Sequence, residues 1–361
     1  MDCLEIKRLF DKAEAFKQKS RYKDSLLLFG KALRGYSSLG DLQGVLECLL
    51  SIGDVHRMIG NFDLAEKSYS DAASAARQTG DRVALADAAT NIGLSLRGKG
   101  DWKNALAALK KGLAFYEKEN DRQAVAFALW AIGGTLRIKG DIPGAIGAYK
   151  DSLKIFRKLR LKQSGGYCLC GLGGAHRVAG LFPESLAYYR EANRVFSELG
   201  DRFGTAYSYC GTGNAERMLG EYQKALSNFN RASAIYRRIG DRVSYSYTLW
   251  SMGTAHKMLG NYEKARYYFR TARGLFKKTK DPRGLIYCRL GLGELALLEG
   301  KKARAAIYID ESVRQAADYG FKVERCHAEM LRSYLDGKLR TGCYNRLGIK
   351  LTFDRAPFNI P

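Results

Sequence analysis

The sequence predicts an all-α protein: a solenoid of about eight helical hairpins, finished by a capping helix and a short tail. Three observations predict it. Turn signals return every 40 residues, a second series of turn signals falls midway between them, and small and large apolar residues recur in register along the intervening stretches. A fixed period of this size marks units that cannot bury an apolar face alone and do so by stacking.

The first series of turns is Gly40-Asp41, Gly80-Asp81, Asn120-Asp121, Gly200-Asp201, Gly240-Asp241 and Lys280-Asp281, with a weaker member at Arg160-Leu161. Twenty residues on come Gly60-Asn61, Gly100-Asp101, Gly140-Asp141, Gly180-Leu181, Gly220-Glu221 and Gly260-Asn261. Glycine accepts the left-handed conformation that ends a helix, and the Asp or Asn after it caps the amides of the next. Each repeat therefore holds two helices. Pro143, Pro183 and Pro282 all fall just inside a helix start, where the missing N–H costs nothing.

Within the first helix a small residue recurs at Gly53, Gly93, Gly133, Gly173, Gly213, Gly253 and Gly293. In the second, Ala65, Ala105, Ala145, Ser185, Ala225, Ala265 and Ala305 are followed four residues later by Tyr69, Leu109, Tyr149, Tyr189, Phe229, Phe269 and Ile309. Small residues let helices approach, and the large ones fill the remaining gap. Repeats start near 1, 41, 81, 121, 161, 201, 241 and 281, so the solenoid spans 1–336 with a capping helix at 321–336, and 337–361 is an extended tail.

This pattern resembles the tetratricopeptide repeat family, in a 40-residue form similar to the repeats of animal spindle-orientation adaptors; the family's usual unit is about 34 residues. The resemblance implies a right-handed α-α superhelix in which first helices line a concave groove, and a non-enzymatic adaptor that holds a protein partner there. Those adaptors commonly present Asn in the groove, and only Asn91 and Asn214 match.

On that face an aromatic stripe reads Phe127, Tyr167, Tyr207, Tyr247 and Tyr287, joined by Trp130 and Trp250, while a cationic column includes Arg137, Arg177, Arg217 and Lys257. With Asn214 between them, these residues form the expected groove for an extended segment carrying apolar and acidic side chains. A second feature is charge. The chain carries a formal +23, and residues 224–283 hold fourteen Lys or Arg against three acids, a net +11. Arg231, Arg237, Arg238, Arg266, Arg270, Arg273, Lys277 and Lys278 lie on second helices and are expected to point outward. Such a patch either solubilises the surface or docks an acidic surface or nucleic acid, which makes a polyanion binder the first competing reading. A sensor holding a small ligand near Trp130, Gly134, Tyr167, Gly174 and Tyr207 is the second.

Neither a catalytic constellation nor a cofactor or metal motif emerges. The glycines are periodic, His56, His176 and His256 share one packing phase, and Cys168, Cys170 and Cys210 lack a matching ligand pair. The eight cysteines are too sparse for a disulfide framework and read as reduced thiols. With no basic leader and no long apolar run, the chain reads as a soluble cytoplasmic protein.

Overall fold

The computed structural model describes residues 2–361, and every regular element among them is a helix. The turn chemistry explains most of the boundaries. Gly40, Gly80, Gly140, Gly180 and Gly200 adopt φ between 66° and 88°, and Asn120, Arg160 and Lys280 make the same left-handed turn without glycine. Asp41, Asp81, Asp101, Asp141, Asp201 and Asp281 each accept a hydrogen bond from the backbone amide three residues on. Asn61 and Asn261 make no such bond. There the sequence expectation fails, and water or the tight turn itself serves the free amides.

The chain divides into two compact units. The first takes in the chain up to Ala124 together with Arg237–Arg242. It holds α1 (Cys3–Gln18), α2 (Tyr22–Leu39), α3 (Leu42–Met58), α4 (Phe62–Thr79), α5 (Arg82–Gly98) and α6 (Trp102–Lys118), each packed on the next. Tyr69 of α4 lies fully buried against Gly53 of α3, and its hydroxyl donates to Asp54 at 2.7 Å. Tyr116 of α6, also buried, ties α6 to α5 by donating to Asp87 at 2.6 Å, while Leu109 takes the place of Tyr69 against Gly93.

The second unit comprises Val125–Tyr236 and Val243–Pro361. Its helices are α7 (Arg122–Lys139, from Val125 on), α8 (Ile142–Lys158), α9 (Lys162–Ala179), α10 (Phe182–Leu199), α11 (Arg202–Met218), α12 (Tyr222–Ile239, up to Tyr236), α13 (Arg242–Met258, from Val243 on), α14 (Tyr262–Thr279), α15 (Pro282–Leu298), α16 (Lys302–Asp318), α17 (Lys322–Leu335) and α18 (Gly342–Arg346). In three of the repeats here, one ring is wedged between two glycines. Tyr149 of α8 sits between Gly133 of α7 and Gly171 of α9, Tyr189 of α10 between Gly173 and Gly211, and Phe269 of α14 between Gly253 and Gly291. Any Cβ at Gly171 or Gly211 would strike the ring.

After Gly337 the period stops, but the chain stays on the protein. Beyond the short α18, Lys350 donates its amide to the Ala179 carbonyl at 2.9 Å, and Ile349, Phe358 and Ile360 are buried. Cys326 of α17 and Cys343 of α18, with Cα atoms 5.8 Å apart, form a disulfide where the sequence suggested reduced thiols. Their spacing of 17 residues belongs to no repeat, so periodicity gives no hint of it. Among the described residues no helix is long and apolar enough to cross a membrane.

Two outcomes follow from this packing. Gly211→Ala should cost about 1–3 kcal/mol in urea unfolding, because the new methyl meets the buried Tyr189 ring. Gly147→Ala, on the open face of α8 with nothing near its would-be Cβ, should instead gain about 0.5–1 kcal/mol. The second outcome concerns pH. His327 is fully buried with Nδ1 2.7 Å from the Tyr344 hydroxyl, and burial pushes its pKa down to about 4, with Glu324, Arg283 and Arg177 the charges around it. As pH falls, the unfolded chain takes up this proton first, so stability should decline from about pH 6.5 towards pH 4. A His327→Leu chain should show a shallower slope of unfolding midpoint over that interval.

Candidate partner-binding groove

All twelve predicted groove residues lie in the second unit, and the structure gives them three different jobs. Tyr167, Tyr247 and Tyr287 clamp one hairpin to the next. The Tyr167 hydroxyl donates to Asp201 at 2.8 Å with its ring 4.8 Å from Phe196, and Tyr247 repeats this with Asp281 and Phe276. Asp201 and Asp281 also cap α11 and α15, so a single carboxylate both starts a helix and receives the preceding repeat's tyrosine. Tyr287 is buried and donates to Glu324, which also pairs with Arg283 at 2.5 Å. These rings are tied between helices and do not stand free as a wall, as the sequence stripe suggested. Phe127, Trp130 and Tyr207 are half-buried on the core around Leu169 and Phe196.

Arg217 and Lys257 of the cationic column converge with Trp250, and what they meet is the chain's own tail. Arg217 is fully buried, over the Trp250 ring at 5.6 Å. Its Nη2 donates to the Ile360 carbonyl at 3.0 Å and to Asn214 at 3.3 Å, and its Nη1 donates to the Asn359 side-chain oxygen. The Asn359 amide returns a bond to the Arg217 carbonyl at 2.7 Å. Lys257, also buried, donates to Glu294 at 2.5 Å and to the Phe358 carbonyl at 2.7 Å, while Glu294 accepts the Phe358 amide. Trp250 donates its indole N–H to the Tyr287 carbonyl at 3.2 Å, and Asn214 accepts from Ser251 at 3.0 Å.

Burial dominates the electrostatics. It pulls the Arg217 pKa down to about 9, helped by the positive charge of Arg177, and it lowers that of Lys257 against the pull of Glu294. Arg177 and Arg137 hold the same register one and two repeats before Arg217. Arg137 is half-buried beside Gly174, and Nε and Nη1 of Arg177 are buried with no hydrogen-bond partner.

Glu294, Phe358 and Asn359 are functional candidates that the sequence reading missed. Glu294 shares its repeat phase with Thr254 and Asn214, so its charge was a signal; Phe358 and Asn359 are aperiodic and carried none. Of the basic patch, Arg231, Arg237, Arg238, Arg270, Lys277 and Lys278 are exposed as expected. Arg266 and Arg273 are not free outward charges. Arg266 is half-buried and paired with Glu299, and Arg273 has a buried Nε.

The Lys257 and Glu294 pair yields a sharp expectation. Glu294→Ala leaves a buried ammonium without its carboxylate and should cost about 3–5 kcal/mol in chemical denaturation, whereas Lys257→Met with Glu294→Leu should cost less, the remaining loss being the Phe358 amide and carbonyl left unbonded.

Comparison with known proteins agrees with this architecture. The tetratricopeptide repeat family model matches residues 84–158 and 168–238. No curated protein sequence matches the chain. Among solved structures, a Rap protein complexed with competence and sporulation factor superposes with a TM-score of 0.63 at 15% identity, covering 95% of this chain and 98% of that one. The Rap conjugation gene regulator of plasmid pLS20, in complex with the Phr* peptide, gives a TM-score of 0.64 at 13% identity, covering 87% and 96%. Aspartyl phosphate phosphatase F from Bacillus subtilis gives 0.52 at 11% identity, covering 99% and 98%. At such identities the likeness speaks for the fold, a solenoid of helical hairpins, and it is residues 84–158 and 168–238 that match the tetratricopeptide repeat family.

Proposed function

We propose that this protein is a non-enzymatic interaction scaffold, and that α9, α11, α13 and α15 hold an extended segment of a partner protein. The observation that carries this reading is the seating of Phe358, Asn359 and Ile360, whose main chain is bonded by Arg217, Lys257 and Glu294. Groups that bond an extended main chain accept many sequences, and flanking pockets then select among them. Two neighbours of the same fold were solved with a bound factor or peptide, which is consistent with the reading.

The partner segment is apolar with at least one acidic residue. The tail engages Arg217 and Lys257 but leaves Nε and Nη1 of the half-buried Arg177 unpartnered, and buried N–H groups without an acceptor are costly. A carboxylate from the partner satisfies it with charge-assisted bonds.

The test is affinity capture with identification of the partner, followed by binding to purified variants. Arg177→Ala should weaken the identified complex by about tenfold or more, in the range of a lost charged hydrogen bond, with helix content unchanged by circular dichroism. Arg270→Ala, on the exposed face of α14, should leave it intact. Capture that survives Arg177→Ala but is abolished by Lys277→Glu with Lys278→Glu, and that falls steeply with salt, would replace this reading with polyanion binding.

A further inference from the structure

We infer that Phe358-Asn359-Ile360 is a built-in occupant of the groove, and that the partner displaces it by presenting the same chemistry: an extended run of apolar residue, side-chain amide and apolar residue. This rests on the scaffold reading above and adds both the partner's recognition element and the competitor it must overcome.

Three features set this segment apart from a tail that merely lies on a surface. Its polar groups are satisfied by side chains at repeat positions of the groove. Arg217 and Lys257 stand 40 residues apart on successive first helices, and Glu294 extends the same face to α15. Next, the recognition is specific at one residue. The Asn359 side chain is read from both ends, its oxygen by Arg217 Nη1 and its nitrogen by the Arg217 carbonyl. Aspartate lacks the donor and an aliphatic side chain lacks both groups, so a primary amide is what this geometry asks for. Finally, the apolar flanks are sequestered, Phe358 being 1% and Ile360 3% exposed, with the Phe358 ring 5.0 Å from that of Tyr334.

The segment is also tethered nearby. Lys350 is fixed to Ala179, so few residues separate the anchor from the groove. A short tether gives a local concentration of the order of millimolar, and an external segment of equal intrinsic affinity then binds with an apparent affinity reduced by the occupied fraction.

The probe is a fluorescein-labelled synthetic octapeptide copying residues 354–361, followed by anisotropy on the full chain and on the full chain carrying Phe358→Ala with Asn359→Ala. The octapeptide should bind the double variant about tenfold or more tightly than the unaltered chain, because the variant's own segment no longer competes. An octapeptide with Asp in place of Asn should lose about tenfold on the same variant, in line with one unmade buried hydrogen bond to a charged group. Circular dichroism and the urea midpoint verify that the variant is folded. Equal binding to both chains, or no binding to a folded variant, overturns the inference. So does a dimer by light scattering that the double variant abolishes, since the segment would then serve a second copy. A captured partner that binds both chains equally and still depends on Arg177 removes the competing tail while leaving the scaffold reading in place.

Discussion

In the second unit, one aromatic ring between two glycines sets the distance from one hairpin to the next at three of the repeats. Tyr149, Tyr189 and Phe269 each press on a glycine of their own hairpin and on a glycine of the following one. Neither glycine tolerates a methyl without moving the ring, so helix separation is fixed by ring thickness. This concentrates the packing of a repeat at one buried point. The remaining faces of the first helices are released from core duty, and it is on those faces that Arg217, Trp250, Lys257 and Glu294 meet the tail.

This constraint is also why so much of the fold was legible. Gly133, Gly173 and Gly253 and their rings recur at 40-residue intervals because the same contact is rebuilt in each repeat, and the Gly-Asp turns recur for the same reason. The two-sided seat was less visible: Gly171, Gly211 and Gly291 stand two residues before the periodic glycines and contact the ring of the preceding hairpin. The clamp from Tyr167 to Asp201 and from Tyr247 to Asp281 was written in the sequence as a tyrosine followed 34 residues later by an acid. It went unread because a tyrosine on a helix face looks the same whether it meets a ligand or a neighbour.

The tail was illegible for a different reason. Its partners lie more than 60 and up to about 140 residues upstream, and nothing periodic ties Phe358 to Glu294 or Asn359 to Arg217. Alternating apolar residues at Ile349 and Leu351 indicated an extended segment with a face to bury, without saying where. The disulfide between Cys326 and Cys343 shares that character, as a single contact with no copy elsewhere in the chain. Repetition encodes the scaffold many times over, while the chemistry that occupies it is written once.

The buried cations complete the argument. A guanidinium and an ammonium withdrawn from water cost several kcal/mol each unless acceptors surround them, and for Arg217 and Lys257 the acceptors are Glu294, Asn214 and the carbonyl and amide oxygens of the tail. Remove the tail, and Arg217 keeps only Asn214 while Lys257 keeps Glu294; both become open to water, which restores hydration but gives up the apolar burial of Phe358 and Ile360. The groove is therefore more favourable occupied than empty. The tail occupies it with main-chain and amide oxygens in an extended arrangement with apolar flanks, and that combination is what the proposed partner would have to match. Arg177 stands in the same register with Nε and Nη1 buried and unpartnered, so the chain's own segment supplies acceptors to two of these cations and not to the third.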